Sequence, residues 1–330
     1  MADDTANAIG KSGAPASSIM DRLPATRYLP DWLPFMERLR YARTWCPAIE
    51  NLTRLPFEAS LRQLDSGADT ESSFAHTRMT IWRENARMGV PNDFDLDDIK
   101  GAAATIVIAG NVTTAATLML LVLYLMQHPD LQRKAQAEVD RVVGSDRLPS
   151  WADIPSLPYT RLVLQETYRM NPLSLLGIPH ASIADDVYDG MFIPKRTAVY
   201  SNVWAMCHDE SVYAAPSRFW PERYLPKEDG GNGEPLPVGN SGFGRRVCIG
   251  KHLAENGLLI VLALLLATVD IDWPVGADGK PQPFEPEWSF RGRQLSCRSG
   301  HPSPAAPPGR KGCWTARYEH KNIAKGDYTK

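Results

Sequence analysis

Cys248 is the residue of this 330-residue chain whose surroundings best suit chemistry. It lies in the run Ser241-Gly-Phe-Gly-Arg-Arg-Val-Cys-Ile-Gly250, which precedes an apolar stretch with helical patterning. A helix N-terminus and neighbouring guanidinium groups both stabilise a thiolate. Glycines at 244 and 250 would let the backbone approach something flat and large. The pattern therefore favours a thiolate ligand that faces a planar group, and a buried structural cysteine is the alternative.

Charged and aromatic motifs precede this loop. Glu166 and Arg169 are spaced i, i+3 on one face of a helix that the sequence predicts over Pro158–Met170. Taken alone, the pair is explained as well by a surface salt bridge, which adds little stability. Pro179-His180 and Pro221-Glu-Arg-Tyr224 follow in that order before the cysteine loop. Each motif alone is weak evidence of function, and their order along the chain makes a functional interpretation stronger.

A long helix is predicted to begin at the acidic stretch 92–98 and to end near His128. It contains Ala109-Gly-Asn-Val-Thr-Thr114, for which close helix packing by small residues is one explanation. Residues 101–126 carry no charge and are numerous enough to span a membrane. The position of Asn111 and the Ala-, Gly- and Thr-rich first half favour a buried core helix instead.

In this order the motifs resemble those of the cytochrome P450 family, whose haem loop reads Phe-x-x-Gly-x-Arg-x-Cys-x-Gly. Four residues fall in register with that loop: Gly244, Arg246, Cys248 and Gly250. Ser241 stands at the leading aromatic position, and Phe243 follows two places later. The resemblance implies that Cys248 is the axial ligand of a haem iron. It also implies that Arg246 and His180 pair with haem propionates and that Phe243 and the two glycines help to bind the cofactor.

The same resemblance assigns roles to the other motifs. Arg223 would join Glu166 and Arg169 in a buried network that fixes the haem-side segment and performs no chemistry itself. On the long helix, Gly110 would make room for dioxygen, and Thr113 would donate a hydrogen bond during its activation. The family's acidic residue is replaced by Val112. Proton delivery would then fall to another group of the same helix or to water, and Thr114 and Asn111 are the candidates.

The resemblance implies a mainly α fold with small β-sheets, namely the C-terminal portion of the P450 fold from about helix F/G onward. It covers most of residues 1–297, which we take as a partial P450 domain, and it indicates an N-terminally truncated member. Short strands are predicted within 187–200 from alternation and turn signals. Residues 298–330 are rich in Pro, Gly and Ser without periodicity and predict a disordered tail.

The implied activity is that of a fungal microsomal-type monooxygenase, which uses O2 to hydroxylate a small apolar substrate in secondary metabolism. A catalytically inactive remnant is the alternative, favoured by Val112 and Ser241. No flavin or nicotinamide motif is evident, so electrons would come from NADPH through a partner, NADPH-cytochrome P450 reductase. That reductase would dock on the cysteine side, where Arg245, Lys251 and His252 could supply positive charge.

Composition narrows the class of protein further. The chain is 43% apolar, as expected of a globular protein. Its net charge of −2 does not favour binding to nucleic acid, which requires positive charge. Five scattered cysteines argue against a disulfide framework. The first twenty residues lack an apolar segment, so we expect no signal peptide or anchor there. The family is typically held at the endoplasmic reticulum membrane, but because no anchor is evident, a cytoplasmic or peripheral location is expected for this chain. No oligomer is predicted.

Overall fold

The computed structural model describes residues 23–34, 36–67, 73–276, 278 and 280–282, and the backbone of 287–289, 296–298 and 314–316. The described α-helices are α1 (Glu37–Ser66), α2 (Phe74–Met88), α3 (Leu96–Gln127), α4 (Pro129–Val143), α5 (Pro158–Met170), α6 (Val203–Cys207) and α7 (Lys251–Thr268). The described strands are β1 (His180–Ala181), β2 (Asp186–Tyr188), β3 (Met191–Ile193), β4 (Ala198–Val199), β5 (Val269–Ile271), β6 (Glu287–Ser289), β7 (Ser296–Arg298) and β8 (Trp314–Ala316). The predicted fold class, mainly α with small β-sheets, is confirmed.

The strands form small antiparallel pairs. β1 pairs with β4, and β2 pairs with β3 in a hairpin where Val187 lies opposite Phe192. Strands β2 to β4 fall where the sequence predicted short strands. β5 pairs with β8, and β6 pairs with β7. β8 belongs to the segment predicted to be a disordered tail, and most of that segment lies outside the described residues.

The chain divides into two compact units, and the boundary between Thr113 and Thr114 lies within α3. In the first unit, α1 packs on α2, and a small core forms around Phe57, Met79 and Ile99. Ser73 caps α2 by accepting a hydrogen bond from the His76 N–H at 3.1 Å. The first unit therefore has its own apolar core.

The second unit contains the larger core, which is built mainly from the C-terminal half of α3 together with α4, α5 and α7. Helix α7 contributes a fully buried row that includes Leu258, Leu262 and Leu266. Gln132 of α4 bonds both backbone groups of Ile271, with its amide nitrogen 3.0 Å from the carbonyl and its amide oxygen 2.8 Å from the N–H. This pairing ties α4 to the strand that follows α7.

Two helices of the described residues, α3 and α7, are long and apolar enough to cross a membrane. A core helix of a soluble protein meets the same criterion, so the finding is weak evidence for insertion. The core contains Leu120, Leu121 and Leu125 of α3. The predicted core-helix role is therefore confirmed for the C-terminal half of α3.

Candidate functional site

The cysteine loop ends at the N-terminus of α7. A short 3-10 turn, Gly244–Arg246, is followed by Cys248, whose N–H donates to the Ser241 carbonyl at 2.8 Å. The Cys248 carbonyl accepts from the N–H of Lys251, the first residue of α7, at 3.3 Å. Gly244 has φ +59°, a left-handed conformation that favours glycine. The local backbone therefore places the thiol at a helix N-terminus, as the sequence predicted.

The Cys248 thiol is exposed, whereas Cys207 is buried. Burial raises the pKa of the Cys207 thiol to about 11, which keeps that thiol neutral at physiological pH. The alternative interpretation of Cys248 as a buried structural cysteine is thus wrong, and that description fits Cys207.

Apolar side chains beside Cys248 are uncovered to an unusual degree. Ile249 is 92% exposed and Leu253 is 79% exposed, and Val247 and Phe243 are exposed as well. An apolar surface of this kind is typical of a binding site rather than of a free surface. The sequence-predicted cofactor residue Phe243 is therefore on the same loop and accessible.

The chemistry of the loop fits a haem. Within the described ranges, no group of three or more His, Cys, Asp or Glu side chains could hold a metal ion. A single thiolate suits a metal whose other ligands come from a porphyrin. The exposed apolar side chains would cover the ring, and Arg245 and Arg246, both exposed, match the charge of its propionates.

The predicted oxygen-activating residues lie in the middle of α3. Thr113 is partly buried, and its Oγ1 donates to the Ala109 carbonyl at 2.6 Å. Gly110 is exposed, and a Cβ placed there would meet nothing within 4 Å among the described residues. Close packing against another residue of the described ranges therefore does not explain this glycine. Gly110 and Thr113 belong to the first unit and Cys248 to the second, so the approach of the helix to the thiol stays a prediction.

His180 and Thr114 are the remaining predicted site residues outside the loop. His180 lies on β1 opposite Val199 and is exposed. Thr114 follows Thr113 on α3 and is partly buried. Their predicted roles toward a propionate and in proton delivery stay predictions.

The predicted network of Glu166, Arg169 and Arg223 is present and fully buried. Arg169 donates from Nε and Nη2 to the two carboxylate oxygens of Glu166, both at 2.9 Å. Arg223 donates from Nε to Glu166 Oε1 at 3.1 Å, and all three side chains are 0% exposed. The alternative interpretation of Glu166 and Arg169 as a surface salt bridge is therefore wrong.

Helix α5, which carries this network, is fixed at its start by Glu138 of α4. The Glu138 carboxylate accepts from the backbone N–H groups of Tyr159 and Thr160 and from the Thr160 hydroxyl, each at 2.8 Å. A carboxylate at a helix N-terminus satisfies free N–H groups and complements the helix dipole. The position of Glu166 along α5 is thereby set from the neighbouring helix.

Sequence reasoning missed two members of the network. Tyr224 donates its hydroxyl to Glu166 Oε2 at 2.7 Å, and burial followed by the Glu166 charge raises the pKa of this phenol well above its usual range. Glu234 accepts from Arg223 Nη1 at 2.7 Å. Tyr224 could have been found because it directly follows Arg223. Glu234 follows a glycine loop and carries no local signal.

Glu222 also links the arginine turn to two helices. It accepts from Lys134 of α4 at 2.5 Å and from the Tyr159 hydroxyl of α5 at 2.9 Å. The turn Pro221–Tyr224 is thus held by Glu222, Arg223 and Tyr224 together. This segment is a structural junction, as the sequence indicated for Arg223.

Fold and site together describe a mainly helical protein with an exposed thiol, Cys248, at the start of α7 and a buried charge network around Glu166. The family model for cytochrome P450 matches residues 15–291, and the chain belongs to that family. The predicted P450 fold is confirmed by this match.

Fungal monooxygenases are among its relatives. Cytochrome P450 monooxygenase 98 of Postia placenta is 37% identical over 284 residues, which are 84% of this chain and 53% of that protein. Cytochrome P450 monooxygenase ple1 of Rhodocybe pseudopiperita is 36% identical over 84% of this chain and 52% of that protein. Tryptamine 4-monooxygenase of Psilocybe cyanescens is 33% identical over 83% and 54%. The chain spans about half the length of these curated relatives.

Proposed function

We propose that this chain carries the thiolate-ligand half of a haem monooxygenase that hydroxylates a small apolar organic molecule with O2. The observation that carries the proposal is the exposed Cys248 thiol, in register with the family's haem loop and at the start of α7. Membership of the cytochrome P450 family and the fungal monooxygenases among the relatives support it.

The loop residues would hold the haem. Cys248 would be the axial ligand, and the α7 N-terminus together with Arg245 and Arg246 would favour its thiolate form. Arg246 and His180 would pair with propionates. When bound, a thiolate-ligated haem supplies dioxygen activation and the cleavage of the O–O bond. The uncovered Ile249 and Leu253 would exclude water from the ligand side.

Residues 110–114, in the middle of α3, would donate hydrogen bonds and deliver protons during catalysis. We assign Thr113 to donate a hydrogen bond on the oxygen side and Gly110 to leave space there. Because Val112 has no acidic group, Thr114, Asn111 or a water molecule would deliver protons. Thr113 already holds its hydroxyl on the Ala109 carbonyl, so it would have to exchange that bond to donate elsewhere.

NADPH-cytochrome P450 reductase is the electron donor that we propose. Arg245, Lys251 and His252 are all exposed around the cysteine loop. A positive surface there would attract an acidic partner and speed its association at low salt. We propose a cytoplasmic or membrane-peripheral location for this chain, whose family is typically held at the endoplasmic reticulum membrane.

The proposed substrate class rests on the family, because only one of the relatives described above carries a substrate in its name. Tryptamine 4-monooxygenase is named for a small aromatic amine, and the other relatives are named only as monooxygenases. We propose a small apolar natural product of fungal secondary metabolism.

A non-catalytic P450 is the second candidate function. Val112 at the acidic position of α3 and Ser241 at the aromatic position of the loop favour it. Such a protein would keep the fold and the charge network without turnover. Binding of haem through Cys248, followed by turnover, separates the two candidates.

The test is the spectrum of haem-supplied protein, reduced and saturated with carbon monoxide. Thiolate ligation places the absorption band at about 450 nm, and the band should vanish in Cys248→Ser. Cys46→Ser is the matched control, because Cys46 is also an exposed free thiol. Soluble wild-type protein without the band would overturn the haem assignment. A band without product from small apolar substrates and reductase would favour the non-catalytic candidate.

A further inference from the structure

The buried network contains more positive than negative charge if it stops at the predicted triad. Arg169 and Arg223 are two cations, Glu166 is one anion, and all three are 0% exposed. An uncompensated buried charge is strongly destabilising. The Glu234 carboxylate, 7% exposed, lies 2.7 Å from Arg223 Nη1 and brings the count to two of each sign.

We propose that Glu234 is a positioning residue for Cys248, which completes the charge network and anchors on it the chain segment that leads into the cysteine loop. The inference rests on the proposed function in so far as the positioned thiol is a haem ligand. Glu234 touches no reacting group, so it acts through the backbone that follows it.

Glu234 is fixed at both its side chain and its backbone. Its Oε1 accepts from the Ala214 N–H at 3.1 Å and from Asn232 Nδ2 at 2.8 Å. Its own N–H donates to the Arg223 carbonyl at 3.0 Å. Burial acts to raise the pKa of Glu234, but the hydrogen bonds from Asn232, Arg223 and Ala214 together hold that pKa below its ordinary value. The carboxylate is therefore charged and held in place.

The glycine-containing segment before Glu234, residues 227–233, folds so that the Glu234 carboxylate reaches Arg223. The segment 227–234 folds back on the arginine turn Pro221–Tyr224. Asn232 N–H donates to the Arg223 carbonyl at 3.2 Å, and Gly233 N–H donates to the Leu225 carbonyl at 2.7 Å. At Gly231 an added Cβ would lie 2.1 Å from the Leu225 carbonyl oxygen, so a side chain cannot be accommodated there.

The segment after Glu234 is held a second time before it reaches Cys248. Pro235 and Pro237 restrict its backbone. The Val238 carbonyl accepts a weak bond from the Cys207 thiol at 4.0 Å, and the Cys207 carbonyl accepts from Arg169 at 2.8 Å. Arg223 thus bonds the segment directly at Glu234, and Arg169 is linked to it indirectly through Cys207.

The far end of the segment closes the cysteine loop. The Gly239 carbonyl accepts from the Gly242 N–H at 2.9 Å, and the Ser241 carbonyl accepts from the Cys248 N–H at 2.8 Å. A shift of the segment at Glu234 would be transmitted to the acceptor that orients Cys248. Loss of the Glu234 charge should therefore change thiol ligation as well as stability.

The test compares Glu234→Gln with wild type in haem-supplied full chain, at a temperature where circular dichroism shows both folded. Glu234→Gln keeps the shape of the side chain and removes its charge. We expect the reduced carbon-monoxide band at about 450 nm to lose at least half its intensity to shorter wavelength. Glu234→Asp, which keeps the charge on a shorter stem, should retain more of the band, and this variant also serves if Glu234→Gln does not fold.

Two controls separate positioning from general destabilisation. Glu228→Gln changes an exposed carboxylate of the same loop and should leave the band intact. Val139→Ala removes buried core volume remote in sequence and should lower the unfolding temperature without changing the band. Retention of the full band in Glu234→Gln, or equal loss in Val139→Ala, would overturn the proposal.

A haem-free measurement keeps this inference separate from the haem assignment. In apo-protein, Glu234→Gln should increase amide hydrogen exchange at least several-fold in the segment that leads to the thiol, at Gly242 and Cys248, whose N–H groups bond the Gly239 and Ser241 carbonyls, while α4 stays as protected as in wild type. If wild type gives no thiolate band but this exchange increases, the haem assignment fails and the anchor stands. Unchanged exchange in that segment contradicts the anchor whatever the spectrum.

Discussion

Arg169 donates hydrogen bonds to both carboxylate oxygens of Glu166, which lies three residues earlier on helix α5. Both side chains are fully buried. Removing Arg169 would leave two buried carboxylates, Glu166 and Glu234, with Arg223 as their one shared cation in this network, and an uncompensated buried charge is strongly destabilising. We expect Arg169→Met to lower the free energy of unfolding by about 3–5 kcal/mol, measured by urea denaturation.

An exposed helical pair provides the comparison for this prediction. Arg54 bonds Glu58 at 3.0 Å, with 57% and 36% of the two side chains exposed. Arg54→Met should cost less than about 1 kcal/mol, because solvent screens the pair. Similar costs for the two variants would show that the Glu166–Arg169 pair is not stabilised by its burial in the way we describe.

We expect Gly110 to lower the stability of helix α3 and to be needed for efficient product formation. Nothing among the described residues lies within 4 Å of a Cβ at either Gly110 or Gly101, and both belong to α3. Replacing either by alanine should stabilise the helix by about 0.5–1 kcal/mol, because glycine loses more backbone entropy on folding. Only Gly110→Ala should reduce product formed per NADPH consumed. Equal turnover in Gly110→Ala and Gly101→Ala would remove the functional role of Gly110.

Burial of Cys207 makes stability sensitive to alkaline pH. Its folded-state pKa is raised by burial to about 11 from an ordinary value near 9.0. The contribution is fully present below pH 9 and is lost as pH rises toward 11, because the unfolded thiol ionises first. The loss should approach about 3 kcal/mol across that window. Cys207→Ala should give a flatter dependence of unfolding free energy on pH between 9 and 11, and parallel curves would contradict the assignment.

Val112 offers a gain-of-function test of proton delivery. Val112→Asp would place a carboxyl group on partly buried α3, next to Thr113. We expect the ratio of product to NADPH consumed to rise by about twofold or more, because a positioned acid speeds proton transfer. Val112→Asn has nearly the same shape without an acid and should leave the ratio unchanged. An equal rise in both variants would point to space rather than to proton transfer.

Local sequence patterns were sufficient for the parts of this protein that depend on local physics. The limits of α5 at Pro158 and Met170 follow from a proline at the helix start and an Asn-Pro pair after its end. Two glycines and two arginines precede the helix that starts at Lys251, and this pattern was sufficient to predict Cys248 at a helix N-terminus. The matching of these motifs to a family required only their types and spacing.

Partnerships between distant segments could not be read from the sequence. Glu166 and Arg169 have the spacing of an ordinary surface pair, and only packing of α5 between other elements makes the pair buried and strong. Glu234 lies 68 positions after Glu166 in the sequence. The residues around it form no pattern from which its pairing with Arg223 could be predicted. The sequence alone predicted Cys248 as the residue that binds a haem iron and identified the helix that follows it. The tertiary structure decided which side chains neutralise the buried arginines and which cysteine is covered, because burial and charge balance depend on contacts between segments far apart in the chain.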